Sequence, residues 1–309
     1  MKTLLGIDVG GTNLRIGVVK GNHVVHEHRA QVDFSKLCKT HAPDMAWQAI
    51  ISSMHAGVAE VLARFPDVSA VGIGFPGFID PVAGVLTQSP NLPGLRDVDL
   101  AGDLTRAIGL PVIVENDAAA AAFGEYRLHP VDSDHLIYVG LGTGIGGGLI
   151  YADRIFEGQH GMSMEIGHLT IEPDGRSCGC GNRGCMEQYA SATGVATTYR
   201  LATDSEKTAQ EIAALAKSGD RHARYAFELA GTCLGQGLAH IIKVVDVGHV
   251  LIGGGMREAW PLMQATFERR FQRDLIPALR SRVTVTLSAS GDQAGMIGAA
   301  LLAGVRSGI

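Results

Sequence analysis

The strongest constraint on this chain is a repeated hairpin. Residues 3–19, TLLGIDVGGTNLRIGVV, and residues 135–151, HLIYVGLGTGIGGGLIY, each read as an apolar strand, a glycine-rich turn and a second apolar strand. Around them, strands alternate with helices. The spacing of Met45, Ile50, Met54, Val58, Val61 and Leu62 predicts a helix that stops before Pro66. VSAVGIGFPG reads as a buried strand running into a loop, VDLAGDLTRAIGL as a short helix, PVIVEND as a strand and AAAAAFGEYRL as a helix opening. Further on come the helical stretches SATGVATTYRLA and ARYAFELAGTCLGQGLAHIIKVV, the strand HVLIGGG, a helix around AWPLMQATFERRF, the strand RVTVTLSAS and a last helix AGMIGAALLAGV. Such alternation implies an α/β fold. The repeat places a junction near Asp117, with one lobe over 1–117, completed by the C-terminal helix of 293–309, and a second over 118–292.

At 309 residues the chain exceeds a usual single core. Its net charge of −5 argues against nucleic acid or an anionic membrane as the main partner, because neither attracts an acidic surface. An uncharged small molecule fits better. The longest uncharged stretch is too rich in glycine for a lipid-spanning helix, and Asp8 with its glycine pair interrupts the apolar start before a signal peptide can form. Three of the five cysteines are clustered and the other two lack partner spacing, which points to a reducing cytoplasm rather than a secreted disulfide framework.

Three glycine-rich turns, DVGGTN, GLGTGIGGG and IGGGM, follow three apolar strands. Glycine lets main-chain N–H groups approach an anion closely, so the set suits a polyphosphate. Gly142, Gly144 and Gly147 have G-x-G-x-x-G spacing, but a dinucleotide fold needs a helix directly after them, and GLIYADRIF reads as strand and turn. A P-loop is excluded too, since no G-K-[ST] follows any of these glycines. Asn116 and Asp117 fall where a strand ends and a helix starts; taken alone, they fit a helix N-cap as well as a crevice site. The stretch GHLTIEPDGRSCGCGNRGC carries His168, Cys178, Cys180 and Cys185, leaving open a redox site or a metal staple.

The motifs GIDVGGTNLRIG, GFPGFID, SPNLPG, ENDAAAAAFGE, GLGTGIGGGLI, EIGHLTI, CGCGNRGCMEQYAS and VLIGGG resemble, in order, those of the ROK family. That family comprises bacterial sugar kinases and related sugar-responsive repressors. The resemblance implies the actin-like ATPase fold, with two lobes around a central cleft, and ATP-dependent phosphorylation of a hexose, as in a glucokinase acting at the 6-hydroxyl. It places Asp8 on Mg²⁺ through water, Gly10, Gly11, Thr12 and Asn13 near the γ-phosphate, and Gly142, Thr143 and Gly144 in the facing phosphate clamp. Gly253, Gly254 and Gly255 would flank the adenosine. Asp117 would be the general base, and Gly77, Asn91, Asn116, Asp117, Glu165, His168 and Glu187 would meet the sugar. His168, Cys178, Cys180 and Cys185 match the family's structural Zn²⁺ site, and members are commonly homodimers. N-acetylmannosamine, N-acetylglucosamine and fructose kinases share these motifs, so the sugar stays open. A repressor is disfavoured because the phosphate motif begins by Leu4 without a helix-turn-helix before it. An actin-like ATPase without sugar chemistry would lack the E-I-G-H and C-x-C segments. Two positions depart from the family pattern: Ala119, where N-D-A-N is usual, and Met164, where glycine commonly precedes E-I-G-H.

Overall fold

The computed structural model describes residues 2–10, 13–90, 92–129 and 133–309. The chain forms two compact units, one of Met1–Asp134, Gly148–Ser163 and Ser290–Ile309, the other of His135–Gly147 and Met164–Ala289.

In the first unit, β1 (Thr3–Val9), β2 (Asn13–Lys20) and β3 (His23–Gln31) form an antiparallel meander, followed by α1 (Phe34–Thr40) and α2 (Pro43–Arg64). Strand β4 (Val68–Phe75) then runs parallel to β1. A small antiparallel sheet follows, made of β5 (Phe78–Asp80), β6 (Val85–Gln88) and β7 (Arg96–Asp99). Helix α3 (Leu100–Ile108) leads into β8 (Val112–Asn116) and α4 (Asp117–Leu128), giving the main sheet the order β3-β2-β1-β4-β8. The first expected hairpin is present, with Gly6 opposite Gly17 and Asp8 opposite Arg15. Helix α2 buries Ile50, Met54, Val58 and Val61 in a core with Leu5, Ile7, Ile16 and Ile73. That face is the one given by the spacing of the apolar residues, save for Met45, which lies in the first turn and is exposed.

The second hairpin consists of β9 (Leu136–Leu141) and β10 (Ile145–Tyr151), and β11 (Arg154–Ile155) pairs with the end of β10. The second unit continues through α5 (Glu187–Ala190), α6 (Ala192–Thr203), α7 (Ala209–Lys217), α8 (Arg221–Val245), β12 (His249–Gly253), α9 (Trp260–Asp274) and β13 (Thr284–Leu287). Strand β12 is parallel to both β9 and β13, in a sheet of order β11-β10-β9-β12-β13.

The chain then returns to the first unit as α10 (Ala294–Arg306), which packs on β1, β4 and α4. This contact needs main chain against main chain. A Cβ on Gly298 would lie 1.8 Å from the Ala120 carbonyl oxygen, and one on Gly72 would lie 1.8 Å from that of Ala299. Glycine is therefore required for the approach. No helix among the described residues is long and apolar enough to cross a membrane.

Candidate functional site

In the first unit the candidate residues gather at the ends of β1, β4 and β8. At the hairpin tip the Gly10 N–H donates to the Asn13 carbonyl at 2.8 Å; Gly11 and Thr12 lie outside the described residues, as does Asn91. The Asp8 carboxylate is 3.9 Å from the Arg15 guanidinium, which also donates to Glu27 at 3.0 Å and to the Asp292 carbonyl at 2.5 Å. The first turn of α10 presses on the same carboxylate, since a Cβ on Gly295 would sit 3.2 Å from it. Burial, and then the neighbouring charge of Asp117, push the Asp8 pKa up to about 6, with Arg15 opposing.

Asp117 is the first residue of α4, and Asn116 is its N-cap. The Asn116 side-chain Oδ1 accepts from the N–H groups of Ala118 and Ala119 at 3.0 and 3.1 Å, while its Nδ2 donates to the Gly77 carbonyl at 3.1 Å. Capping by Asn116 takes two orphan donors of the helix and leaves the next side chain available for another task. The Asp117 carboxylate accepts from the Ala118 N–H at 2.8 Å. Burial raises its pKa, with that hydrogen bond opposing. Gly77 has φ +138°, and a Cβ there would come within 2.8 Å of the Gln88 carbonyl oxygen, so the turn that presents its carbonyl to Asn116 depends on glycine.

In the second unit, Gly142, Thr143 and Gly144 form a tight turn in which the Gly142 N–H donates to the Gly144 carbonyl at 3.0 Å. The start of α6 secures it: the Thr193 hydroxyl donates to the Thr143 carbonyl at 2.9 Å and the Ala192 N–H to the Gly142 carbonyl at 3.0 Å. One carboxylate oxygen of Glu187 accepts from the Ile145 N–H at 3.0 Å. Gly253 and Gly254 pack against Tyr138 and the Leu141 main chain, whereas the space around Gly142 and Gly255 is open.

The four metal-ligand candidates converge. One ligand atom from each of His168, Cys178, Cys180 and Cys185 lies within 4.8 Å of all the others. The sulfurs of Cys180 and Cys185 are 3.7 Å apart, and His168 Nδ1 is 3.6 Å from the sulfur of Cys178. Tetrahedral Zn²⁺ with ordinary bond lengths requires edges of about 3.8 Å between sulfurs and about 3.6 Å between sulfur and nitrogen. The donor set therefore fits structural zinc in both chemistry and spacing. His168 turns its other nitrogen, Nε2, toward Glu165, 3.9 Å away. Burial and the neighbouring thiols push Cys185 up to about 12, so a Cys185 thiolate calls for a cation to hold it.

Sequence spacing did not reveal Arg176. Its guanidinium lies 4.5 Å from the Tyr189 ring centroid and donates to the Gln188 carbonyl at 2.6 Å and the Thr198 hydroxyl at 2.9 Å, tying the cysteine loop to α5 and α6. A lone arginine in a polar loop gives no sequence signal of such a role. The departure at Met164 has a backbone aspect as well: its φ is +61°, a left-handed conformation natural to glycine and costly for methionine.

The family model described as "ROK family" matches residues 4–305. The chain belongs to the ROK family. A glucokinase from Thermotoga maritima is 30% identical over 99% of this chain and 98% of its own length. An N-acetyl-D-glucosamine kinase from Escherichia coli is 32% identical over 96% of this chain and 98% of its own. Among solved structures, a ROK family glucokinase from Streptomyces griseus, in complex with glucose and AMPPNP, superposes with a TM-score of 0.82 at 32% identity, covering 97% of this chain and 99% of that one. The actin-like ATPase fold expected of a ROK protein is the fold of this chain.

Proposed function

We propose that this ROK protein is an ATP-dependent sugar kinase that phosphorylates a hexose, with glucose at its 6-hydroxyl the favoured substrate. The observation that carries the proposal is the pairing at the β8–α4 junction, where Asn116 satisfies the helix N-terminus and Asp117 is left half-buried beside Asp8. Full-length similarity to proteins named glucokinase supports the choice of sugar.

In this mechanism Asp117 accepts a hydrogen bond from the attacking sugar hydroxyl and takes its proton as the bond from that oxygen to the γ-phosphorus forms and the bond from the γ-phosphorus to the β–γ bridging oxygen breaks, releasing ADP. The transition state of phosphoryl transfer is loose, so the carboxylate orients the hydroxyl first and receives the proton late. A pKa raised by burial brings its basicity nearer the working pH. Mg²⁺ bound with ATP would supply charge neutralisation at the phosphates, and Asp8 is the carboxylate proposed to hold it through its water shell. The turns of Gly10–Asn13 and Gly142–Gly144 are proposed to meet phosphate oxygens, and Gly253–Gly255 the adenosine. Gly77, Asn91, Asn116, Glu165, His168 and Glu187 are proposed to read sugar hydroxyls. Zinc on His168, Cys178, Cys180 and Cys185 would have a structural role: Nδ1 would ligate it, and the tautomer so fixed would make the Nε2–H a dependable donor. A cytoplasmic homodimer completes the proposal.

A coupled ADP-release screen over glucose, fructose, mannose, allose, N-acetylglucosamine and N-acetylmannosamine tests the substrate assignment. Asp117→Asn is expected to bind the best sugar normally and to lose roughly 10²–10⁴-fold in turnover. Turnover equal to that of the unaltered enzyme would remove Asp117 from the chemistry.

A further inference from the structure

Glu115 and Arg306 lie 191 residues apart and have no part in the chemistry proposed above. They nevertheless meet directly behind it. The Glu115 side chain is only 4% exposed, and Arg306 Nη2 donates to its Oε2 at 2.7 Å. The same Arg306 nitrogen also donates to Glu157. The second oxygen of Glu115, Oε1, accepts from the Asn116 main-chain N–H at 2.9 Å. Asn116 in turn caps α4 and holds the Gly77 carbonyl. A continuous line of hydrogen bonds therefore joins the last turn of α10 to the residue before Asp117.

Stability alone does not explain this arrangement. A buried ion pair roughly repays the desolvation of its own charges, and a well-packed apolar pair would do as well or better. Arg306 even leaves Nη1 buried without a hydrogen-bond partner among the described residues. What an apolar pair could not supply is direction. A planar guanidinium fixes where a carboxylate lies, and that carboxylate fixes the N–H it accepts. Near a reacting group such control has large consequences, since a misplacement of about 1 Å can cost about 100-fold in rate.

We propose that Arg306, acting through Glu115, is a positioning residue that sets the Asn116–Asp117 main chain in register for proton acceptance from the sugar hydroxyl. The inference rests on Asp117 being the general base. It assigns the C-terminal helix a catalytic purpose beyond completing the fold.

The test compares the unaltered protein with Arg306→Met, Arg306→Lys, Glu115→Gln and the double variant Glu115→Gln/Arg306→Met. It measures turnover at saturating ATP and sugar, the KM for ATP, sugar Kd by calorimetry, and Tm. Arg306→Met should lower kcat by about 10- to 100-fold, with sugar Kd and the KM for ATP within about threefold, and Arg306→Lys should restore part of the loss. The double variant removes both charges, so its Tm should return toward that of the unaltered protein while kcat stays low. Recovery of kcat together with Tm would show a merely structural pair and overturn the inference, as would normal kcat in Arg306→Met. If Arg306→Met does not fold, the double variant and Arg306→Lys decide on the same readouts. Absence of turnover on every sugar by the unaltered protein would instead refute the kinase assignment and take this inference with it.

Discussion

Replacing Asp8 with Asn is expected to stabilise the ligand-free protein, and to do so more strongly at pH 7.5 than at pH 4.5. The folded-state pKa of Asp8 is pushed up to about 6 from an ordinary value of 3.8, chiefly by burial and then by the charge of Asp117. Between these values the folded chain holds a proton that the unfolded chain has released, so unfolding becomes easier as pH rises through the window and the penalty is complete above about pH 6. At 1.36 kcal/mol per pKa unit the penalty is about 1 kcal/mol at pH 4.5 and about 3 kcal/mol at pH 7.5. Asn carries no such charge. The attraction of Arg15, 3.9 Å away, is already contained in that pKa, which it lowers, and so adds no separate contribution to the pH dependence. For a chain of this size about 2 °C accompanies each kcal/mol, so the Tm gap in favour of Asp8→Asn should widen by about 4 °C from pH 4.5 to 7.5. Thermal melts of both proteins without nucleotide or divalent cation, at matched pH, check this; contributions from titrating groups remote from Asp8 cancel in the difference. A gap that stays flat with pH, or narrows as pH rises, would refute the burial argument for Asp8.

Three further outcomes follow from the donor cluster and the packing of α10. Protein purified without chelator should carry close to one zinc per chain by elemental analysis, and Cys180→Ser should raise the sugar KM more than the ATP KM, because His168 stands in both the donor cluster and the proposed sugar contacts. Gly298→Ala should lower stability by about 2 kcal/mol or more, a fall of about 4 °C in Tm, because its Cβ would overlap the Ala120 carbonyl and force α10 off α4; an unchanged Tm would mean that the helices separate at no cost.

What could be read from the sequence was local. Both hairpins, the helix over Pro43–Arg64 and the strand-to-helix junction at Asn116 follow from apolar spacing and turn chemistry within a few residues. The donor cluster was equally legible, because three of its ligands lie within eight residues, Cys178–Cys185. Strand β3 gave little signal: HVVHEHRAQ is mostly polar and half-buried, and it is held by pairing with β2 rather than by a buried face of its own. The strands β5, β6 and β7 are three or four residues long, too short for an alternation to declare itself.

Distance in sequence hid the rest. The glycines of α10 read as weak points in a helix, and only contact with α4 turns Gly298 into a requirement. Glu115 reads as one more acid at a strand end until Arg306 is placed beside it. Local pattern supplied the residues proposed to do the chemistry, while long-range packing supplied the groups that aim them. A candidate site taken from motifs alone is therefore incomplete on its supporting side: the motif ENDA contains Asp117 and its cap, but the guanidinium that orients both enters from the last turn of the final helix.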